Sequence, residues 1–194
     1  MGIAGRLRSL EVSSRRTLRD VEGSSLVEFA ISLPLLVVLV VGIFDFGGAF
    51  NQKQMLNNAV REGARFGSSQ PTNDLCTGCS APPSVDAIRS LVDSYLLSAR
   101  VNDCGLSSAA IPGAGPPWVY TANSGCAGTM TLTINRAVAL PETISGTTVN
   151  LLCTQVSVSY PYQWHFNNVI QLVAPGANFG GVAITTSATA VNMD

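Results

Sequence analysis

The sequence predicts an α+β protein in which a long N-terminal transmembrane helix runs into a head built from a second helix and an antiparallel sheet of about four strands. Three observations carry that expectation. Residues 29–44, FAISLPLLVVLVVGIF, contain no charge. Apolar residues keep helical spacing over 49–66 and again over 84–100. Beyond the breaker IPGAGPP at 111–117 the apolar period falls from 3.6 to 2.

Composition limits the alternatives. The chain has 194 residues, 46% hydrophobic and 12% charged, enough for one sizeable core plus extra elements. So little charge points to a membrane segment or a β-rich extracytoplasmic part. A net charge of −1 supplies no basic field for nucleic acid.

The elements follow in order. Residues 1–23 are basic, lack an apolar face and read as a cytoplasmic leader. From Leu26 to Phe50 the chain is long enough to cross ~30 Å of hydrocarbon at ~1.5 Å per residue, with Glu28 and Asp45 near the edges. A secretory signal peptide is the competing reading, but its apolar part runs ~7–15 residues and ends at an A-x-A-like site. After Phe44 only the Gly47-Gly48-Ala49 cluster keeps that reading open. Arg6, Arg8, Arg15, Arg16 and Arg19 precede the span, against Lys53, Arg61 and Arg65 close behind it, so the N-terminus is expected to stay inside. AFNQKQMLNNAVREGARF, 49–66, has no proline and continues the helix; 24–66 would measure about 65 Å.

GSSQPTNDLCTGCSAPP, 67–83, is turn chemistry and ends that helix. A second helix is expected over 84–100, with Val85, Ile88, Leu91, Val92, Tyr95, Leu96 and Ala99 on one face, Ser84 as N-cap and Asp86 in the first turn. Strands are expected at TMTLTIN (129–135), NLLCTQVSVSY (150–160) and GVAITTSATAVNM (181–193), with WVYTAN (118–123) as a fourth candidate. No crossover helix separates them, so antiparallel pairing is the simplest arrangement.

A carboxylate within a spanning helix costs up to ~2.5–3.5 kcal/mol at mid-bilayer, which makes Glu28 a functional candidate unless it snorkels to the headgroups. Gly23, then Ser24-Ser25-Leu26-Val27-Glu28-Phe29 heading an apolar helix, resembles the processing site of type IV prepilins, where a membrane aspartyl peptidase cuts after the glycine. The longer stretch through VEFA, Leu33-Pro34, Gly42-Ile43, Asp45-Phe46-Gly47, Asn58-Ala59 and Arg61-Glu62-Gly63-Ala64-Arg65 resembles the TadE-like family, pseudopilins of the tight-adherence type IV pilus system.

That resemblance implies a pilin-like head and a minor pilin or pseudopilin of a tight-adherence (Flp-type) pilus. It implies a bacterial inner membrane location with one pass and a periplasmic or extracellular C-terminal domain. Cleavage between Gly23 and Ser24 would remove the leader arginines and create an α-amine one helical turn from Glu28. That amine, or one from a neighbouring subunit, would pair with Glu28, and Phe29 would join it in assembly. The implied partners are other pilins or pseudopilins, the prepilin peptidase, the inner-membrane assembly platform and membrane lipid. No cofactor, metal or catalytic residue is implied, and no reaction is assigned. The organisation is then leader 1–23, transmembrane and extended helix 24–66, and head 67–194.

Other residues keep two readings. Pro34 lacks an N–H and clashes with the carbonyl of Ala30, so it either kinks the span or is simply tolerated there. Arg61, Glu62 and Arg65 are surface groups or, by the resemblance, contacts to the sheet or a partner. Trp164, His165 and Phe166 in YPYQWHFNNVIQLVAP face a membrane surface or a partner, or else pack in the core. Cys76, Cys79, Cys104, Cys126 and Cys153 allow two disulfides and a leftover thiol, with pairing open. The CTGC at 76–79 also permits a redox dithiol or half a zinc site, but no strand precedes it and His165 is distant. The alternative to pilus assembly is an uncleaved, anchored adhesin or binding module whose loops at 67–83 and 102–128 recognise a surface.

Overall fold

A computed structural model describes residues 11–76, 78–113, 115–177 and 180–193. Leader arginines Arg6 and Arg8 lie outside the described residues. Helix α1 spans Glu11–Ser68 and runs through Pro34 without interruption. It begins well before the expected start at Ser24. The stretch from Glu11 contains no proline, and Gly23 alone, at about 1 kcal/mol relative to alanine, does not break a helix. One part of it, within Gly23–Ser68, is long and apolar enough to cross a membrane.

Two compact units form. One joins Met1–Asp45 with His165–Asn178, and the other joins Phe46–Trp164 with Phe179–Asp194. The second unit is the α+β head. It contains the last part of α1, helix α2 (Pro83–Ser98), a short 3-10 turn (Leu106–Ser108) and strands β1 (Trp118–Ala122), β2 (Met130–Ile144), β3 (Thr147–Tyr162) and β4 (Val182–Val191). The strands form one antiparallel sheet in the order β1-β2-β3-β4.

The core lies between helices and one sheet face. Leu56, Ala59, Val60 and Ala64 of α1 and Val85, Ile88, Val92 and Leu96 of α2 are buried with Trp118, Tyr120, Met130, Leu132, Ile134, Val156 and Val158 from alternate strand positions. Period 3.6 on the helices and period 2 on the strands bring these residues to one interface. Two glycines allow α1 to approach closely. A Cβ on Gly67 would sit 2.7 Å from both Ile88 Cδ1 and Thr154 Cγ2, and one on Gly63 would sit 2.9 Å from Val92 Cγ2. These glycines serve packing, since side chains there would force α2 or β3 away.

The start of α2 differs from expectation. Pro82 is the N-cap and makes no side-chain cap bond; Pro83 opens the helix, where its missing N–H costs nothing. Ser84 is therefore inside the first turn, and its backbone N–H is taken by Asp74 Oδ2 at 3.2 Å. The helix closes at Arg100 in the left-handed region, φ 57°, with the Val101 N–H bonded to the Leu96 carbonyl at 2.9 Å.

Strands β2 and β3 extend past their expected ends into a hairpin turned at Ser145-Gly146, φ 52° and 83°, the primed geometry that suits twisted strands. Pro141 and the polar residues around it hide this ribbon from the alternation test. A register shift between Asn135 and Val138 marks where it leaves the sheet. Residues 160–175, expected as an apolar connection, contain helix α3 (Asn167–Val173).

The structure joins Cys76 to Cys79 and Cys104 to Cys126, and leaves Cys153 buried as a thiol. The second bridge ties the segment after α2 to the β1–β2 connection, beside the Ser124 N–H bond to the Cys104 carbonyl (2.8 Å) and the Asn102 Nδ2 bond to the Gly125 carbonyl (2.7 Å). A loop of sequence separation 22 constrains the unfolded chain by roughly 3 kcal/mol. Replacing Cys104 and Cys126 together by alanine is expected to lower unfolding free energy by about that amount, read from the urea midpoint; an unchanged midpoint would mean the bridge adds nothing beyond the neighbouring hydrogen bonds.

Asp93, buried on α2, is held above the usual aspartate range chiefly by burial, then by its hydrogen bond with Asp103 and repulsion from that carboxylate. A raised folded-state value stabilises the fold below the unfolded aspartate value of about 3.9, and that contribution is lost as pH rises through the folded value. Asp93→Asn is therefore expected to raise the melting temperature by a few degrees at pH 7, with the gain vanishing near pH 3. A gain that persists unchanged at pH 3 would place its origin elsewhere.

Candidate assembly site

Gly23, Ser24, Glu28 and Phe29 all lie on α1 and are exposed. Ser24 and Glu28 are four residues apart, so they share one helix face. From Leu26 to Phe44 large apolar side chains point outward, among them Phe29, Ile31, Leu35, Leu36 and Ile43, with Phe44 at 76% exposure. Pro34 is half-buried within this stretch.

Asp45, which ends the apolar run, is buried at 6% exposure. Its Oδ2 accepts the Phe166 backbone N–H at 2.9 Å, and its Oδ1 lies 3.1 Å from His165 Nδ1. His165, at 85% side-chain exposure, reaches this carboxylate from the segment just before α3. The sequence alone marks Asp45 only as the edge of the span and offers His165 only as a residue facing a membrane surface, a partner or the core. The available signal was the chain's one histidine next to an apolar segment, but nothing in the spacing joins positions 120 residues apart.

In the head, Trp164 packs against Phe46 (ring centroids 4.9 Å) and edge-on against Tyr162 (5.2 Å), and is half-buried. Phe166 is half-buried too. Arg65 pairs with Glu62 at 2.8 Å across one helical turn; the hydrogen bond and charge of Glu62 raise the Arg65 pKa. With Arg65 this exposed, the pair contributes little to stability. Its place matters more. Arg61, Glu62 and Arg65 line an open groove of about 900 Å³ together with Asn57, Asn58, Tyr95 and the β4 residues Ser187 and Thr189. Polar side chains stand on both walls, interspersed with Ala64, Ala188 and Ala190, and the groove opens beside an edge strand.

A fully buried arginine that the local sequence pattern does not single out organises another part of the head. Arg136 Nη2 donates to the Gln70 carbonyl at 2.6 Å, and Nη1 donates to the Pro71 carbonyl (3.2 Å) and the Ser84 hydroxyl. Asp74 Oδ1 lies 3.5 Å from Nη1. The Arg136 carbonyl accepts Asn192 Nδ2 at 3.3 Å, and Asn192 Oδ1 accepts the Thr154 hydroxyl at 2.7 Å. One side chain thus fixes the end of α1, the start of α2 and the sheet. Its position at an inward strand site, where alternation calls for an apolar residue, was the available signal.

Residues 23–65 match the family model described as TadE-like protein. The match begins at the glycine of the Gly23–Glu28 pattern and ends at the Arg65 that lines the groove. No curated protein and no solved structure matches the chain.

Proposed function

Taking the TadE-like match over residues 23–65 as premise, we propose that this chain is a prepilin-like minor pilin or pseudopilin that serves assembly of a tight-adherence (Flp-type) pilus. The observation that carries the reading is the Gly23–Ser24–Glu28 pattern at the head of an exposed apolar helix that continues into an α+β head. Residues 1–23 act as a basic cytoplasmic leader, 24–66 as transmembrane and extended helix, and 67–194 as a head outside the inner membrane. A prepilin peptidase removes the leader after Gly23. Because the scissile bond lies within a helical stretch, cleavage requires local unwinding, which Gly23 and the two serines beside it favour.

Cleavage leaves the Ser24 amine on the Glu28 face of the helix. When subunits pack in the membrane, this carboxylate pairs with its own amine or a neighbour's, so that correct register satisfies a charge that would otherwise stay costly in lipid. Phe29 packs beside it. The groove at Arg61, Glu62 and Arg65 offers a polar surface for another pilin, pseudopilin or the assembly platform. Trp164 and Phe166 are further contacts, to a partner or to the membrane surface.

The test is the intact mass of the protein recovered from membranes. Mature protein beginning at Ser24 is expected. Full-length protein would overturn processing and leave an uncleaved, anchored binding module as the reading.

A further inference from the structure

Between Glu142 and Asp194 the chain carries no Asp, Glu, Lys or Arg, and His165–Asn178 belongs to this stretch. The same segment forms one compact unit with the chain up to Asp45. At the end of the apolar run, the Asp45 carboxylate is buried and its partners include the Phe166 N–H and the His165 imidazole, which return from this segment. A carboxylate at the edge of hydrocarbon is costly unless its hydrogen bonds are supplied by the protein. Within the unit, Phe166, Val169 and Ile170 are half-buried. On α1, Val38 and Val41 share the helix face of Asp45 and are also half-buried, whereas Val37, Leu39, Val40 and Ile43 are exposed.

We infer that the segment 165–177 is a second membrane contact: an interfacial segment that lies at the headgroup–acyl boundary beside the Asp45 end of the span, with lipid as its partner. This rests on reading α1 as a membrane span. The seven residues of α3 are about 10 Å long, too short to cross hydrocarbon, so the segment lies on the bilayer rather than through it. Its uncharged composition means that apolar burial holds it in place, not attraction to anionic lipid. Asp45 serves as the clasp that keeps the segment at this depth.

The full chain, reconstituted in phosphatidylcholine vesicles, tests this with a photoreactive benzoyl-phenylalanine placed singly at Phe44, Phe166 or Val119. Phe44 lies in the span, and Val119 is exposed on β1 of the head. Lipid adducts are expected from Phe44 and Phe166, falling to background at Val119, with the Phe166 yield unchanged when anionic phosphatidylglycerol is added. Adducts at Phe44 with none at Phe166 would overturn the interfacial segment and leave the span intact. Adducts at neither would overturn both. Equal yields at Phe166 and Val119 would also overturn the inference, as would a Phe166 yield that depends on anionic lipid.

Discussion

Arg136→Met is expected to lower the unfolding free energy of the head by about 3–5 kcal/mol, the range for removing one partner from a buried charged network. Methionine fills similar volume but donates no hydrogen bond. The Gln70 and Pro71 carbonyls, the Ser84 hydroxyl and the Asp74 carboxylate would then lose their shared donor at once. Each buried group left without a partner costs its own desolvation, which is why the loss exceeds that of a single hydrogen bond. Arg136→Lys retains the charge but not the planar fork, and is expected to recover only part of the loss. Urea denaturation of each variant reads this directly. A loss below about 1 kcal/mol for Arg136→Met would show that water replaces the guanidinium and that the loop at 70–74 is not held by it.

The second large effect, under the proposed pilus role, is on assembly. In Glu28→Ala, processing after Gly23 is expected to persist while incorporation into pili, or into their assembly platform, fails. An intramembrane carboxylate that gains a partner only on correct packing rewards register by up to ~2.5–3.5 kcal/mol near the bilayer centre and less toward its edge. Every ~1.4 kcal/mol is a tenfold change in an association constant, so even a part of that term separates assembled from unassembled subunits. The measurement pairs intact mass, for cleavage, with the amount of the variant in purified pili and in the membrane platform. Normal piliation would reduce Glu28 to a side chain that snorkels to the headgroups.

These two residues differ in how visible they are before folding. Glu28 is legible because its neighbours in sequence are its neighbours on the helix. A glycine, two serines, an apolar run and one carboxylate at i, i+4 spacing define the candidate site locally. Arg136 sits in a strand whose alternation reads correctly up to Ile134. Its partners, residues 70, 71, 74 and 84, lie more than 50 positions earlier in the chain. The carboxylate–imidazole pair of Asp45 and His165 is hidden for the same reason. Ser84 shows the opposite failure. A serine ahead of an amphipathic run signals an N-cap, but Pro82 and Pro83 shift the helix start, and Asp74 accepts the N–H that remained to be satisfied.

The sequence by itself determined what depends on period and composition: the α+β class, one helix able to cross a membrane, the amphipathic face of α2, four antiparallel strands, and the resemblance over Gly23 to Arg65. Those features are written in contacts within a few residues, where helical or extended geometry alone decides which side chains share a face. The tertiary structure decided the cysteine pairing, the close approach of α1 through Gly63 and Gly67, the buried network around Arg136, and the return of His165 and Phe166 to Asp45. Each of these joins groups distant in the chain or satisfies a buried polar atom, and only the folded path of the backbone fixes which groups meet.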